Sequence, residues 1–394
     1  MLPESKATPV WVAPLLGAVV LGLALSSLFT GPDPSVAHNS PESALAQFEL
    51  ALQYAKGEGK LSQSHANAVH WFEKAAEQDH AGAQINLGHM YFQGAGVPQS
   101  LAKARHWYGK AVSASGNSAE SLYFLGTAFD EEGNDLAAAA LYYRKAAEAG
   151  STQAMCSLGQ MHELGEGGVE QNFQTARKLY ERASGKGDAH ASYLLGSMYE
   201  DGDRGTRKDF DEARRLYRLS ADKDDMAAFR LGHMFSEAVG VEKSYARAKK
   251  WFKKSAFLGN AQAQLELGTL YAKGQGVRQS WKDAGYWFKK AAAQDVSQAA
   301  VHLGFMYRDG KGIAQDYAKA KVWFEQGAES NHVDAVHALG LMWDLGQGVI
   351  PTLQRAMHYY RRAGNLGHVQ SQQIVRTVEL REKNKKAQAA QSYP

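Results

Sequence analysis

A Leu-Gly pair recurs along this chain, and its spacing leaves few folds open. It stands at Leu87-Gly88, Leu125-Gly126, Leu158-Gly159, Leu195-Gly196, Leu231-Gly232, Leu267-Gly268, Leu303-Gly304 and Leu339-Gly340, with Leu50-Ala51 as a ninth, degenerate copy. The intervals are 37, 38, 33, 37, 36, 36, 36 and 36 residues. A period of this length marks an array of supersecondary units, each burying its apolar side on its neighbours. The 394 residues are therefore read as one array and not as two or three ordinary domains.

Other residues keep phase with the Leu. Four positions after it comes a large ring: Tyr54, Tyr91, Phe129, His162, Tyr199, Phe235, Tyr271, Tyr307 or Trp343. A glycine turn follows, as in Gly94-x-Gly96 and Gly274-x-Gly276. A bulky pair stands about twenty residues after the Leu, such as Trp107-Tyr108, Trp251-Phe252 or Trp323-Phe324, with an alanine three positions before it. In a first helix the Leu and the ring, at i and i+4, share a face. In a second helix the alanine and the pair do the same. The glycine after the Leu lets the partner helix approach, and the glycine turn supplies the positive φ that joins the two helices. Eight residues before each of the eight later leucines stand Asp79, Asn117, Gly150, Gly187, Lys223, Gly259, Asp295 and Asn331. All but Lys223 tolerate a left-handed helix end. The loops at Gly133-Asn134, Gly202–Gly205 and Ala238–Gly240 depart from the glycine pattern and are expected to be irregular.

The run Ala-x-x-x-Leu-Gly-x-x-Tyr-x-x-Gly-x-Gly-Val, followed by Lys-Ala-x-x-Trp-Phe-x-x-Ala-Ala, resembles the Sel1-like repeat, a relative of the tetratricopeptide repeat. Ala263–Val277 with Ala284–Ala292, and Ala299–Ile313 with Ala320–Ala328, are similar to it over their whole length. The expected fold is all-α: a right-handed α-solenoid of about nine helix-turn-helix repeats over residues 44–367, preceded by one transmembrane or signal segment. Ser40-Pro41 reads as the N-cap and first-turn proline of the first helix. A C-terminal capping helix is expected at 368–384, with a flexible tail at 385–394.

Residues 10–29, from Val10 to Phe29, carry no charge and match the length that crosses a bilayer. Lys6 precedes them, and the next cation is Lys56. The positive-inside bias then puts a short N-terminus, 1–9, in the cytoplasm and the repeats outside, behind a tether at 30–43. A cleaved signal peptide ending near Ser35-Val36-Ala37 is the alternative, and it would leave a soluble periplasmic or secreted protein. The one cysteine, Cys156, forms no internal disulfide.

The chemistry expected is that of a scaffold. A net charge of +3 excludes a polybasic nucleic-acid binder as the main identity, so no nucleic-acid partner is expected. The Gly-x-Gly loops follow helices and lack a Lys-Ser/Thr pair, so they read as turns and not phosphate cradles. His162-Glu163 opens like a zinc-helix motif but lacks the second histidine, and His162 fills the ring slot of its repeat. The lysines at 249–250, 253–254 and 289–290 read as solvated faces of second helices. No catalytic residue, metal or cofactor is expected.

In related solenoids the first helices line the inner curve. Residues two before, two after and five after the Leu then form an apolar stripe flanked by acids. It contains Ile85, His89, Tyr123, Asp130, Glu163, Tyr193, Glu200, Phe229, His233, Leu265, Val301 and Phe305. If exposed, this concave stripe is a groove for a helix or extended peptide, and its acids favour a basic one. The other reading is that the residues two before the Leu pack against the preceding repeat. The resemblance implies a non-catalytic adaptor that assembles or regulates an envelope complex, and the segment 10–29 would hold it at a bacterial inner membrane with its repeats in the periplasm. A cell-wall or carbohydrate receptor using the stripe aromatics is the alternative.

Overall fold

The computed structural model describes residues 42–391, except 60, 132–134 and 203–205. Nineteen helices and no strand occur among the described residues. They fall into two compact units, one ending at Ala191 and one beginning at Ser192. The first unit holds α1 (Ala44–Lys56), α2 (His65–Glu77), α3 (Ala81–Gln93), α4 (Leu101–Ala114), α5 (Ala119–Asp130), α6 (Leu136–Glu148), α7 (Thr152–Leu164) and α8 (Phe173–Gly185). The division falls within α9 (Ala189–Asp201). The second unit continues with α10 (Phe210–Ser220), α11 (Asp225–Glu237), α12 (Tyr245–Phe257), α13 (Ala261–Lys273), α14 (Trp281–Ala292), α15 (Ser297–Asp309), α16 (Tyr317–Glu329), α17 (Val333–Leu345), α18 (Leu353–Asn365) and α19 (Val369–Gln391). Odd-numbered helices through α17 are the first, or A, helices of the repeats; even-numbered ones are the B helices.

Residues 1–41, with the apolar segment 10–29 and most of the tether, lie outside the described residues. Among those described, no helix is long and apolar enough to cross a membrane. The Ser40-Pro41 start also lies outside them. The cap of α1 is Ser43, whose Oγ accepts from the Ala46 N–H. At the other end α19 runs on to Gln391, past residue 384 where the capping helix was expected to stop. The Lys, Ala and Gln run from Lys385 to Gln391 consists of strong helix formers, which extends the helix without any packing signal.

Local chemistry sets each helix end. Ser64, Ser100, Asp135, Asn172, Asp209, Ser244, Ser280 and Asp316 cap B helices, each accepting a backbone N–H from the first turn. The A helices α3, α7, α13, α15 and α17 end on a glycine in the left-handed region, for example Gly274 at φ 69°. The second glycine of the turn has a different reason. A Cβ on Gly276 would lie 2.4 Å from the Tyr245 carbonyl carbon of the preceding B helix. A glutamine closes the loop: the side chains of Gln99, Gln171, Gln279 and Gln315 donate to carbonyls of the last A-helix turn. These loops are thus built as turns.

Two irregularities resolve differently from expectation. The Ala238–Gly240 loop keeps the regular form, because Ala238 itself adopts the left-handed conformation at φ 62°. The loops at Gly133-Asn134 and Gly202–Gly205 lie largely outside the described residues. Lys223 is accommodated because α10 ends early, at Ser220, and the Lys223 and Asp224 N–H groups both donate to the Ser220 carbonyl. No left-handed residue is then needed.

Within each unit an A helix packs most closely on its own B helix, as α3 on α4 or α11 on α12. Its next contact is the preceding B helix, as α2 on α3 or α12 on α13. The repeat leucines Leu87, Leu231, Leu267 and Leu303 are fully buried, as are the alanines Ala104, Ala248, Ala284 and Ala320.

Candidate functional site

The glycine after the Leu seats a ring. A Cβ there would lie 2.5 Å from the Tyr108 ring at Gly88, 2.4 Å from Tyr180 at Gly159, 2.5 Å from Phe252 at Gly232 and 2.4 Å from Phe324 at Gly304. The second member of the bulky pair, and not the B-helix backbone, therefore uses the space. Where that member is Tyr, its hydroxyl needs a partner. Tyr143 donates to Asp130 at 2.9 Å, Tyr180 to Glu163 at 3.2 Å, Tyr217 to Glu200 at 2.7 Å and Tyr360 to Asp344 at 3.2 Å. Tyr108 instead meets His89 Nδ1 at 2.7 Å. Where the member is Phe, the residue five after the Leu is not acidic: Ala55, Ser236, Ala272 and Arg308. The acids on the expected stripe thus serve hydroxyls of their own repeats. Glu200 also holds the Arg230 guanidinium at 2.8 Å.

The structure places the twelve stripe residues as follows. Ile85, His89, Tyr193, Glu200, Leu265 and Val301 are buried. Tyr123, Asp130, Glu163, Phe229, His233 and Phe305 are half-buried. The residues two before the Leu lie against the B-helix ring of the same repeat. Centroid separations are 5.8 Å for Tyr123 and Tyr143, 6.0 Å for Tyr193 and Tyr217, and 5.7 Å for Phe229 and Phe252. Cys156, in the same register, is buried too. His162 is half-buried and pairs through Nδ1 with the Glu170 carbonyl at 3.1 Å.

In α7, α11, α13 and α15 the accessible side of the A helix lies about a sixth of a turn away, at five before, one before, two after and six after the Leu. In α7 these are Gln153, Ser157, Gln160 and Leu164; in α11, Met226, Arg230, His233 and Glu237. In α13 they are Gln262, Glu266, Thr269 and Lys273; in α15, Gln298, His302, Phe305 and Asp309. Every one of them is half-buried or exposed. Only His233 and Phe305 belong to both sets. The signal for the missed residues was polarity in these four helices: the position one before the Leu carries Ser157, Arg230, Glu266 and His302, while two before it stand Cys156, Phe229, Leu265 and Val301.

Two buried histidines make the A helices sensitive to acid. Burial pushes His89 down to about 4 from its ordinary 6.5. His337 is also pushed down to about 4, by burial and then by the His368 ring stacked on it at 4.0 Å, against the pull of Asp334. The unfolded chain takes up these protons first. The stability these two sites contribute is therefore fully present above pH 6.5 and is lost as the pH drops towards 4. Each site contributes on the order of 3 kcal/mol to the fall. Urea unfolding at several pH values checks this: His337→Gln should flatten the dependence, and an unchanged slope in that variant refutes the assignment.

Paired helices in a repeating register, with polar side chains left accessible along the A helices, define a helical-repeat scaffold suited to protein–protein interaction. The chain belongs to the Sel1 repeat family. The Sel1 repeat model matches residues 44–80, 81–115, 119–151, 152–188, 189–225, 226–260, 261–296, 297–332 and 333–368. The chain is similar to a Sel1 repeat protein from Oxalobacter formigenes, with a TM-score of 0.55 and 27% identity over 63% of this chain and 100% of that one. It also matches a protective antigen of uropathogenic Escherichia coli displaying an SLR fold, at a TM-score of 0.47 and 29% identity over 86% of this chain and 80% of that one. Over 77 residues, 19% of this chain, it is 39% identical to the chitin synthase regulator SKT5 of Malassezia restricta. That stretch spans only 5% of the relative's length.

Proposed function

We propose that this protein is a non-catalytic adaptor, tethered to a bacterial inner membrane by residues 10–29, whose repeats face the periplasm and dock a protein component of an envelope complex. The observation that carries the docking is the accessible A-helix stripe. It keeps one register through α11, α13 and α15, and its glutamines and charged groups can meet the backbone of an extended peptide. The acids first expected to select a basic partner are engaged: Glu200 by Arg230 and Tyr217, and Asp130 and Glu163 by their tyrosines. Asp309 is likewise held by Arg308 and Lys311, so selectivity falls to the mixed set Glu237, Glu266 and Lys273. Burial holds the Glu266 carboxyl above the usual carboxylate range.

Photocrosslinking in cells tests this. A crosslinker at Gln262 or Gln298, both exposed, should give a discrete protein adduct identifiable by mass spectrometry. The same probe at exposed Ala246 of α12 should not give that adduct. A folded protein with the probe incorporated and no adduct from either stripe position sinks the docking assignment.

A further inference from the structure

The net positive charge of this chain is concentrated on one pair of B helices. Between them α12 and α14 carry Arg247, Lys249, Lys250, Lys253, Lys254, Lys282, Lys289 and Lys290 against a single acid, Asp283. That is a net +7 in a chain whose total is +3, so the remainder is net −4. The two helices belong to successive repeats, and Phe257 of α12 meets Trp287 of α14 edge-to-face at 5.5 Å. Around this contact large apolar groups stand in water: Phe257 is 65% exposed, Tyr286 51% and Leu258 43%. The cations surround these rings, with Lys253 over Phe257 and Lys290 over Tyr286 and Trp287. Lys254 is paired with Asp222, whereas Lys250, Lys253, Lys289 and Lys290 are exposed.

We propose that this α12–α14 surface binds an anionic lipid headgroup layer. Two features select lipid over an acidic polypeptide. Rings and an aliphatic side chain stand exposed between cations of one sign, and the interfacial zone of a bilayer takes amphipathic rings and lysine stems while phosphates meet the ammonium groups. An acidic peptide would satisfy the lysines and leave Phe257 and Leu258 in water. This surface lies on B helices and is independent of the A-helix stripe, so an adaptor could engage lipid and protein at once.

The test uses the full chain with its apolar segment shielded in a phosphatidylcholine nanodisc. Sucrose-loaded vesicles of phosphatidylcholine, with or without phosphatidylglycerol, are added and pelleted. The expected result is co-sedimentation with the anionic vesicles only, lost at high salt. Lys253→Glu, Lys289→Glu and Lys290→Glu together should weaken it by about two orders of magnitude. Phe257→Ser should weaken it with all cations intact. Reversal of three exposed lysines elsewhere, Lys103→Glu, Lys110→Glu and Lys145→Glu, should change it far less; all these sites are exposed, and circular dichroism confirms the fold. Equal sedimentation with both vesicle types, or a triple α12–α14 variant that binds like the parent, overturns the proposal. So does an absence of vesicle binding with saturable binding of a polyglutamate peptide, which would assign the surface to an acidic polypeptide.

Discussion

Phe324→Ala should cost about 3–5 kcal/mol, the range for emptying a fully buried aromatic site. The Phe324 ring is 0% exposed and sits on Gly304, with Phe305 edge-on at 5.1 Å. Nothing nearby can fill the space, because the surrounding Val301, Ala320, Ala335 and Leu339 are themselves buried. The seat is equally sensitive from the other side. Gly304→Ala puts a Cβ 2.4 Å from the ring, and overpacking of this kind costs about 1–3 kcal/mol. That exceeds the roughly 1 kcal/mol an alanine gains over glycine inside a helix. Gly109, in α4, has open space where its Cβ would be, so there the same replacement should stabilise by up to about 1 kcal/mol. Urea titration of the three variants reads all of these effects. A Gly304→Ala chain as stable as the parent would show that the ring yields, and that the repeat glycine is not there to seat it.

Arg230→Ala should be of similar size. Glu200 is 7% exposed, and one carboxylate oxygen takes the Arg230 Nε at 3.0 Å, its Nη2 at 2.8 Å and the Tyr217 hydroxyl at 2.7 Å. Removing the guanidinium leaves a buried charge with one neutral donor, a loss of about 3–5 kcal/mol. Removing both charges, as Glu200→Gln with Arg230→Met, should restore most of it, since an unpaired charge costs more than no charge. A double variant no more stable than Arg230→Ala would mean that packing by the Arg stem, and not its charge, was lost. Because the pair links α9 to α11, the single variant should loosen two consecutive repeats together.

Most of the fold was legible because its signals are local. The Leu, the glycine, the ring and the alanines each recur at a fixed offset, and each offset names a helix face. The role of the glycine was legible only in part: its closeness to the partner helix follows from its size, but the ring upon it depends on how the B helix rotates. The burial of the stripe was legible only in part, for a related reason. Residues two before and five after the Leu share a line along the A helix, and arithmetic alone cannot say on which side of that line the B helix lies. It lies on the side of the glycine, so Ile85, Tyr193, Leu265 and Val301 are covered and the register through Ser157, Arg230, Glu266 and His302 is not. The acids misled because a carboxylate facing a tyrosine hydroxyl and one facing a partner look alike in sequence. What separates them is the residue 13 to 17 positions on: Tyr143, Tyr180, Tyr217 and Tyr360 accompany acids, whereas Phe252, Phe288 and Phe324 do not.

The ring, its glycine and the acid that holds its hydroxyl all belong to one repeat. A segment of about 36 residues copied in tandem carries a complete set with it, whether the Tyr-and-acid or the Phe kind. Some joints between repeats are specific side-chain pairs, such as Glu200 with Arg230 and Asp225 with Asn260, and others are of another sort. Arg182 reaches the Ala147 carbonyl, Gln294 the Gly259 carbonyl and Arg362 the Ala328 carbonyl, each addressing backbone that every repeat presents. At the backbone joints a duplicated unit therefore meets neighbours whose demands it already satisfies. Such a chain can grow or shrink by whole repeats at these backbone joints, whereas a junction carrying a specific pair, as Glu200 with Arg230 between α9 and α11, has to keep both partners.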